Sequence, residues 1–324
     1  MYRTHAPLAE VPGWVWRDVV FFLSGYLITT MMRLEYANTG KLSLRNFYIR
    51  RILRINPPLY ITLAFIGYLV IVGVLNQSPT ALGVLSQFFF FSNYMPDHGT
   101  ETGLPSPLWS LAVEEHFYLI FPLCFVMAMK CMSTARFAAL CAVACAVVLA
   151  VRLFNIIILG LGEENYYWTH TRFDSILFGC ILALWANPAL EVQPSWQAKG
   201  WQAMLAVLVI IGTFAMSSIL LREGIRYSLQ GAALLVIFNY QLQNRNIASK
   251  YLRWSVLQRI GLWSYTLYLV HYALLYSMQS IAPDFPPILS AMIALAISCA
   301  YCAIMYALVE KPLTDVRRRL TPAR

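Results

Sequence analysis

The chain has 324 residues, of which 59% are hydrophobic and 12% charged, and its formal net charge is +9. A mean hydropathy of +0.60 excludes an ordinary soluble domain and is typical of a membrane protein with several spans. The positive charge does not indicate a nucleic-acid partner, because the basic residues lie mainly in short segments between apolar runs. That distribution is typical of cytoplasmic loops in membrane proteins.

Apolar runs follow one another along the whole chain, which predicts an all-α bundle of transmembrane helices, since lipid leaves backbone groups no other partners. The runs are Val19–Met32, Pro57–Leu75, Ala81–Phe91, Trp109–Met129, Ala135–Leu159, Phe173–Ala186, Trp201–Leu221, Tyr227–Tyr240, Gly261–Ser280 and Ile288–Val309. The sequence shows no internal repeat and no segment whose composition differs enough to indicate a second domain. We therefore expect 1–324 to be a single membrane domain.

Clusters of basic residues predict which loops are cytoplasmic. They lie at 33–54, 130–136, 245–259 and 311–319. Glu163, Glu164 and Asp284 predict loops on the outer side. The loops predicted to be cytoplasmic and those predicted to be outside fall on the correct sides only if Ala81–Phe91 does not cross the membrane. That run is about half the needed length, and the polar stretch Ser92–Pro107 follows it. The sequence therefore predicts about nine crossings and one re-entrant or interfacial segment.

This topology places the amino terminus outside without a preceding span, which is difficult to establish during insertion. We therefore expect that a first helix is missing from this chain, through a late start codon or a truncation.

Ionisable residues begin the fourth run, within the segment Ser106–Leu123. Glu114, Glu115 and His116 precede a stretch that stays apolar as far as Met129. A charge at mid-bilayer costs roughly 2.5–3.5 kcal/mol, so such groups usually face protein or a watery cavity and indicate a functional pathway. The alternative is an interfacial anchor with the carboxylates in water.

Five stretches, together with the ending LVEKPL, resemble the acyltransferase 3 family of integral membrane O-acyltransferases. They are Asp18–Thr29, Phe47–Tyr60, Pro107–Pro122, Thr171–Leu184 and Gly261–His271. The resemblance covers nearly the whole chain in order. It implies ten crossings with both ends inside, and the crossing that our count lacks is the first.

The resemblance implies transfer of an acyl group, with acetyl expected, from cytoplasmic acyl-CoA to a hydroxyl of a carbohydrate or lipid-linked glycan. It implies no metal and a place in the cytoplasmic membrane of a bacterium, in contact with membrane lipids. Two alternatives stay open. One is an inactive or truncated relative, because the arginine that the family pairs with its histidine would lie before Met1. The other is a transporter or flippase, which would also need charges within the membrane.

His5 falls close to the position of the family histidine, and it is the candidate general base that takes the proton of the acceptor hydroxyl. The alternative is a histidine in a frayed terminus. Arg51 and Arg54 share one helix face and match the family's arginine pair, so they are the candidates for binding the phosphates of acyl-CoA. The alternative is anchoring to anionic lipid.

Glu114 and Glu115 diverge by about 100° on a helix and cannot share one role. We expect one to face a cavity and orient or stabilise the histidine, and the other to pair with a basic residue such as Arg172. Arg172 and Asp174 are expected to shape the site, with an internal ion pair as the alternative.

His271, surrounded by tyrosines near the middle of its run, is also expected to shape the site, with hydrogen-bonded packing as the alternative. Ser24 and Gly25 are expected to permit close helix approach rather than nucleophilic catalysis. The histidines and cysteines lack metal-ligand spacing, so no metal is expected.

Overall fold

The computed structural model describes residues 13–99, 101–191, 193–244 and 254–320. Over these residues the chain is all-α, with helices and no strands. The helices are α1 (Gly13–Thr39), α2 (Leu44–Ile71), α3 (Ala81–Phe88), α4 (Trp109–Cys131), α5 (Thr134–Phe154), α6 (Thr169–Trp185), α7 (Gly200–Thr213), α8 (Arg226–Gln243), α9 (Ser255–Ile281), α10 (Pro287–Met305) and α11 (Lys311–Arg319). Single π-helical segments extend α5 and α10 and precede α8.

Four helical segments in the described part of the chain are long and apolar enough to cross a membrane. They are Leu44–Ile71, Trp109–Cys131, Thr134–Leu159 and Pro287–Arg319. The prediction of an all-α polytopic membrane protein is therefore confirmed, whereas the count of nine crossings stays a prediction. Helix α3 has 8 residues, too few to cross a hydrocarbon layer about 30 Å thick.

The helices group into two compact units. The first unit comprises Ser43–Ala112 and 254–320, with helices α2, α3, α9, α10 and α11. Within it, α9 packs against α10 and α2. The hydroxyl of Tyr265 donates to the carbonyl oxygen of Ile55 at 2.8 Å, just before the two prolines inside α2. Proline has no N–H to donate, so this part of α2 lacks some of its own backbone bonds.

The second unit comprises 13–42 and 113–244. Helix α6 is its centre, because α6 packs against α1, α5 and α8 and most of its residues are buried. A helix that carries apolar or small residues on all of its faces can be buried on every side. The hydrophobic core next to it joins Phe22 and Tyr26 of α1 to Leu182 of α6 and Leu234 of α8.

Two glycines allow α1 and α6 to come into backbone contact. A Cβ atom on Gly25 would overlap the carbonyl oxygen of Ile176, and one on Gly179 would overlap the carbonyl oxygen of Phe22. Small residues at a crossing are the usual means of close helix approach in membranes. The expected packing role of Gly25 is therefore confirmed.

We expect Gly25→Ala to destabilise the protein by roughly 1–3 kcal/mol, because the added methyl group meets backbone atoms that cannot move independently. Gly212→Ala is the matched control, since a Cβ there meets nothing within 4 Å; it should be neutral or stabilise by up to about 1 kcal/mol. The melting temperatures of both variants in detergent measure this. Equal shifts in the two variants would contradict the crossing.

Candidate active site

Glu114 of α4 is held between two hydroxyl groups. The hydroxyl of Ser24 on α1 donates to its Oε1 at 3.1 Å, and that of Tyr118, one turn along α4, donates to its Oε2 at 3.2 Å. A carboxylate that accepts on both oxygens is held in one orientation. This geometry is suited to orienting or electrostatically stabilising a neighbouring group.

The next two residues of α4 point elsewhere. His116 Nδ1 lies 2.7 Å from Thr169 Oγ1 at the start of α6, and Glu115 is half-buried between the two positions. Glu114 therefore faces α1 and His116 faces α6. The separate roles expected for Glu114 and Glu115 stay a prediction.

The expectation that one of Glu114 and Glu115 pairs with Arg172 is wrong, because Arg172 pairs with Asp18 of α1. Both side chains are buried, and Ser175 also donates to Asp18 at 3.4 Å. The guanidinium carbon of Arg172 lies 3.7 Å from the centre of the Tyr227 ring. Such stacking stabilises a desolvated guanidinium. Arg172 is not paired with Glu115, because the fold brings the start of α1 against the start of α6.

Asp174 has a different partner again, Arg152 at the end of α5. The guanidinium binds the carboxylate through two bonds of 2.7 Å, and both side chains are fully buried. Arg152 also donates to the carbonyl oxygens of Gly224 and Thr171, at 2.8 and 2.6 Å. Ser228 donates to Asp174 at 2.7 Å. This pair is therefore a saturated buried salt bridge, the form in which an ion pair is tolerated in a low-dielectric interior.

The two ion pairs belong to one buried polar cluster of the second unit, formed where α1, α6 and α8 begin and α5 ends. Its further members are Glu223, Arg226, Tyr227 and Ser228. The sequence reasoning overlooked Asp18, Arg152 and Glu223. A signal was present for Arg152, because a charge inside a long apolar run indicates a buried partner.

Arg51 and Arg54 lie on α2 in the first unit. Arg51 is half-buried, with its guanidinium carbon 5.6 Å from the centre of the Phe47 ring. Arg54, one turn later, is exposed. The pair therefore presents one guanidinium stacked on an aromatic ring and one exposed guanidinium, an arrangement that can bind a phosphate group.

His271 of α9 is exposed, and its Nδ1 lies 3.0 and 2.9 Å from the carbonyl oxygens of Leu267 and Tyr268. Carbonyl oxygens only accept, so Nδ1 is the donor in both contacts. The neighbouring Tyr268 hydroxyl lies 2.9 Å from Ser110 Oγ at the start of α4. His271 therefore makes hydrogen bonds with its own helix, and its role in shaping the site stays a prediction.

His5, the candidate base, lies outside the described residues. Among the residues that are described, no group of histidine, cysteine, aspartate and glutamate side chains could hold a metal ion. The seven cysteines are free thiols.

Taken together, these features define a polytopic helical membrane protein with buried ion pairs in one unit and a basic helix face in the other. The chain belongs to the family described as "Acyltransferase domain", whose model matches residues 18–307.

Curated relatives come from bacteria. YrhL of Bacillus subtilis is 29% identical over 93% of this chain and 50% of its own length. The peptidoglycan O-acetyltransferase OatA of Listeria monocytogenes is 27% identical over 93% of this chain and 51% of its own length. The O-acetyltransferase OatA of Staphylococcus aureus is 27% identical over 93% of this chain and 52% of its own length. The chain thus spans about half the length of the curated relatives it matches. No solved structure matches it significantly.

Proposed function

We propose that the protein transfers an acetyl group from acyl-CoA to a hydroxyl group of a cell-surface glycan, in the cytoplasmic membrane of a bacterium. The observation that carries the proposal is the family match over residues 18–307. Peptidoglycan is the acceptor that we favour, because a relative with that acceptor in its name aligns over 93% of this chain.

In the proposed reaction the acceptor oxygen attacks the thioester carbonyl carbon, the new C–O bond forms, and the C–S bond breaks to release the CoA thiol. His5 takes the proton of the acceptor hydroxyl, and a histidine suits this role because its usual pKa of about 6.5 lies near the working pH. Arg51 and Arg54 bind phosphate groups of the donor. Glu114, fixed by Ser24 and Tyr118, supplies a negative charge in a defined orientation.

The remaining candidates have supporting roles in this proposal. Arg172 and Asp174 shape the second unit through their buried ion pairs with Asp18 and Arg152. His271 shapes the first unit at the start of α4, through its neighbour Tyr268.

The proposal is tested with purified protein in nanodiscs of uncharged lipid, supplied with acetyl-CoA and soluble peptidoglycan fragments. Mass spectrometry should find fragments heavier by one acetyl group. The double variant Arg51→Gln/Arg54→Gln should raise the KM for acetyl-CoA roughly 10- to 100-fold, since a hydrogen bond to a charged group contributes about 1.5–3 kcal/mol.

Arg45→Gln is the matched control, because Arg45 is exposed on the same helix but lies outside the arginine pair. It should leave the KM unchanged. Equal effects of the double variant and the control would contradict a specific role of the arginine pair in donor binding. A complete absence of acetyl transfer would overturn the proposed function.

A further inference from the structure

A further arginine of the first unit, Arg317, lies at the end of helix α11. Helix α11 packs against α2, and Arg50 Nη1 donates to the carbonyl oxygen of Leu320 at 2.8 Å. That bond fixes the end of α11 on the basic part of α2. Arg317 lies one turn before Leu320 on α11, and Arg54 lies one turn after Arg50 on α2, so the fixed helix end places the two arginines on neighbouring turns. Like charges on neighbouring turns repel each other.

The guanidinium of Arg317 is oriented by its own helix. It is half-buried, and its Nη2 donates to Thr314 Oγ1 at 2.5 Å. The neighbouring residues Arg318 and Arg319 are exposed. Of the three arginines at the end of α11, Arg317 is therefore the one that packing directs toward α2.

The charges around this position are predominantly positive. Glu310 is the carboxylate that acts on Arg317, and it also accepts a hydrogen bond from the Thr266 hydroxyl. Asp315 of α11 is a second acidic residue and lies 3.7 Å from Arg318. The three arginines Arg50, Arg54 and Arg317 therefore outnumber the carboxylate of Glu310. Helix packing that holds two guanidiniums together costs free energy, and an anion bound between them converts the repulsion into two charge-assisted hydrogen bonds.

We infer that Arg317 binds a phosphate group of the acyl-CoA donor together with Arg54. This inference rests on the proposed function. Guanidinium groups bind phosphate oxygens in pairs, and acyl-CoA is the phosphate-bearing substrate of the proposed reaction. Arg317 is thus a donor-binding residue that selects thioesters carrying phosphate over those without it, and it takes no part in the acyl transfer step.

The test compares two acetyl donors, acetyl-CoA and S-acetyl-pantetheine, which carries the same thioester arm without phosphate. In nanodiscs of phosphatidylcholine, Arg317→Gln should raise the KM for acetyl-CoA roughly 10-fold and leave kcat unchanged. Its rate with S-acetyl-pantetheine should equal that of the unaltered protein. Arg318→Gln, the matched control, removes an exposed arginine that lies 3.7 Å from Asp315, and it should change neither donor's kinetics.

Three kinetic results would overturn the inference. They are an unchanged KM for acetyl-CoA, an equal loss with both donors, which indicates a displaced helix, and a loss that appears only when anionic lipid is added. Equilibrium binding of CoA itself in the same nanodiscs separates this inference from the proposed function. Weaker CoA binding by Arg317→Gln supports the donor site even if no acetyl transfer occurs, and equal binding by both proteins contradicts it.

Discussion

Glu114→Gln is expected to lower kcat for acetyl transfer roughly 10²- to 10³-fold, the loss typical of removing one preorganised electrostatic group from an active site. Glutamine keeps the size of the side chain, and its amide oxygen can still accept a hydrogen bond from Ser24 or Tyr118. The change therefore removes the negative charge while it preserves most of the packing of α1 against α4. Initial rates with saturating acetyl-CoA measure it, together with the melting temperature.

Tyr118→Phe is the control for this prediction, because it removes one of the two hydrogen bonds to Glu114 and leaves the charge in place. A loss well below that of Glu114→Gln is expected. If the two variants lose activity equally, orientation rather than charge is the contribution of Glu114. If Glu114→Gln keeps full activity, the residue has no part in catalysis.

Asp174→Asn is expected to destabilise the protein by about 3–5 kcal/mol, because it leaves the guanidinium of Arg152 buried without a counter-charge. Neither side chain of the pair is exposed to solvent. The melting temperature and the yield of folded protein in detergent measure the effect. The double variant Arg152→Met/Asp174→Leu should recover much of the stability, because replacing both charges leaves neither unpaired.

The matched control is the half-buried salt bridge between Arg33 and Glu191, whose charged atoms lie 3.0 Å apart with side chains 16% and 24% exposed. Glu191→Gln should cost at most about 1 kcal/mol, since solvent screens this pair and the amide can still accept the hydrogen bond. Equal losses for Asp174→Asn and Glu191→Gln would contradict the view that burial makes the first pair indispensable.

Several features of the fold were predictable one segment at a time. Apolar runs predicted the helices. Helix α2 nevertheless begins well before the apolar run that starts at Pro57, because it also includes the charged residues that precede the prolines. The limited length of Ala81–Phe91 predicted a segment that does not cross, and α3 is that segment. The small residue Gly25 predicted close helix packing.

For the candidate site, the sequence predicted which residues belong to it but not which residues they contact. Motif resemblance singled out Glu114, Arg172 and Asp174 as residues of interest, but not their partners. Ser24, treated in the sequence as a packing residue, donates a hydrogen bond to Glu114. The spacing within α11 likewise says nothing about Arg54, because Arg317 lies near the opposite end of the chain.

The sequence by itself therefore determined the class of the protein, an all-α membrane protein of the acyltransferase family, since hydropathy and local motifs depend on residues close together in the chain. The tertiary structure alone decided that Asp18 neutralises Arg172 and Arg152 neutralises Asp174. The physical reason is that a buried charge must be neutralised by whichever helix lies next to it. Which helices are neighbours depends on how closely the glycines of α1 and α6 let their backbones approach.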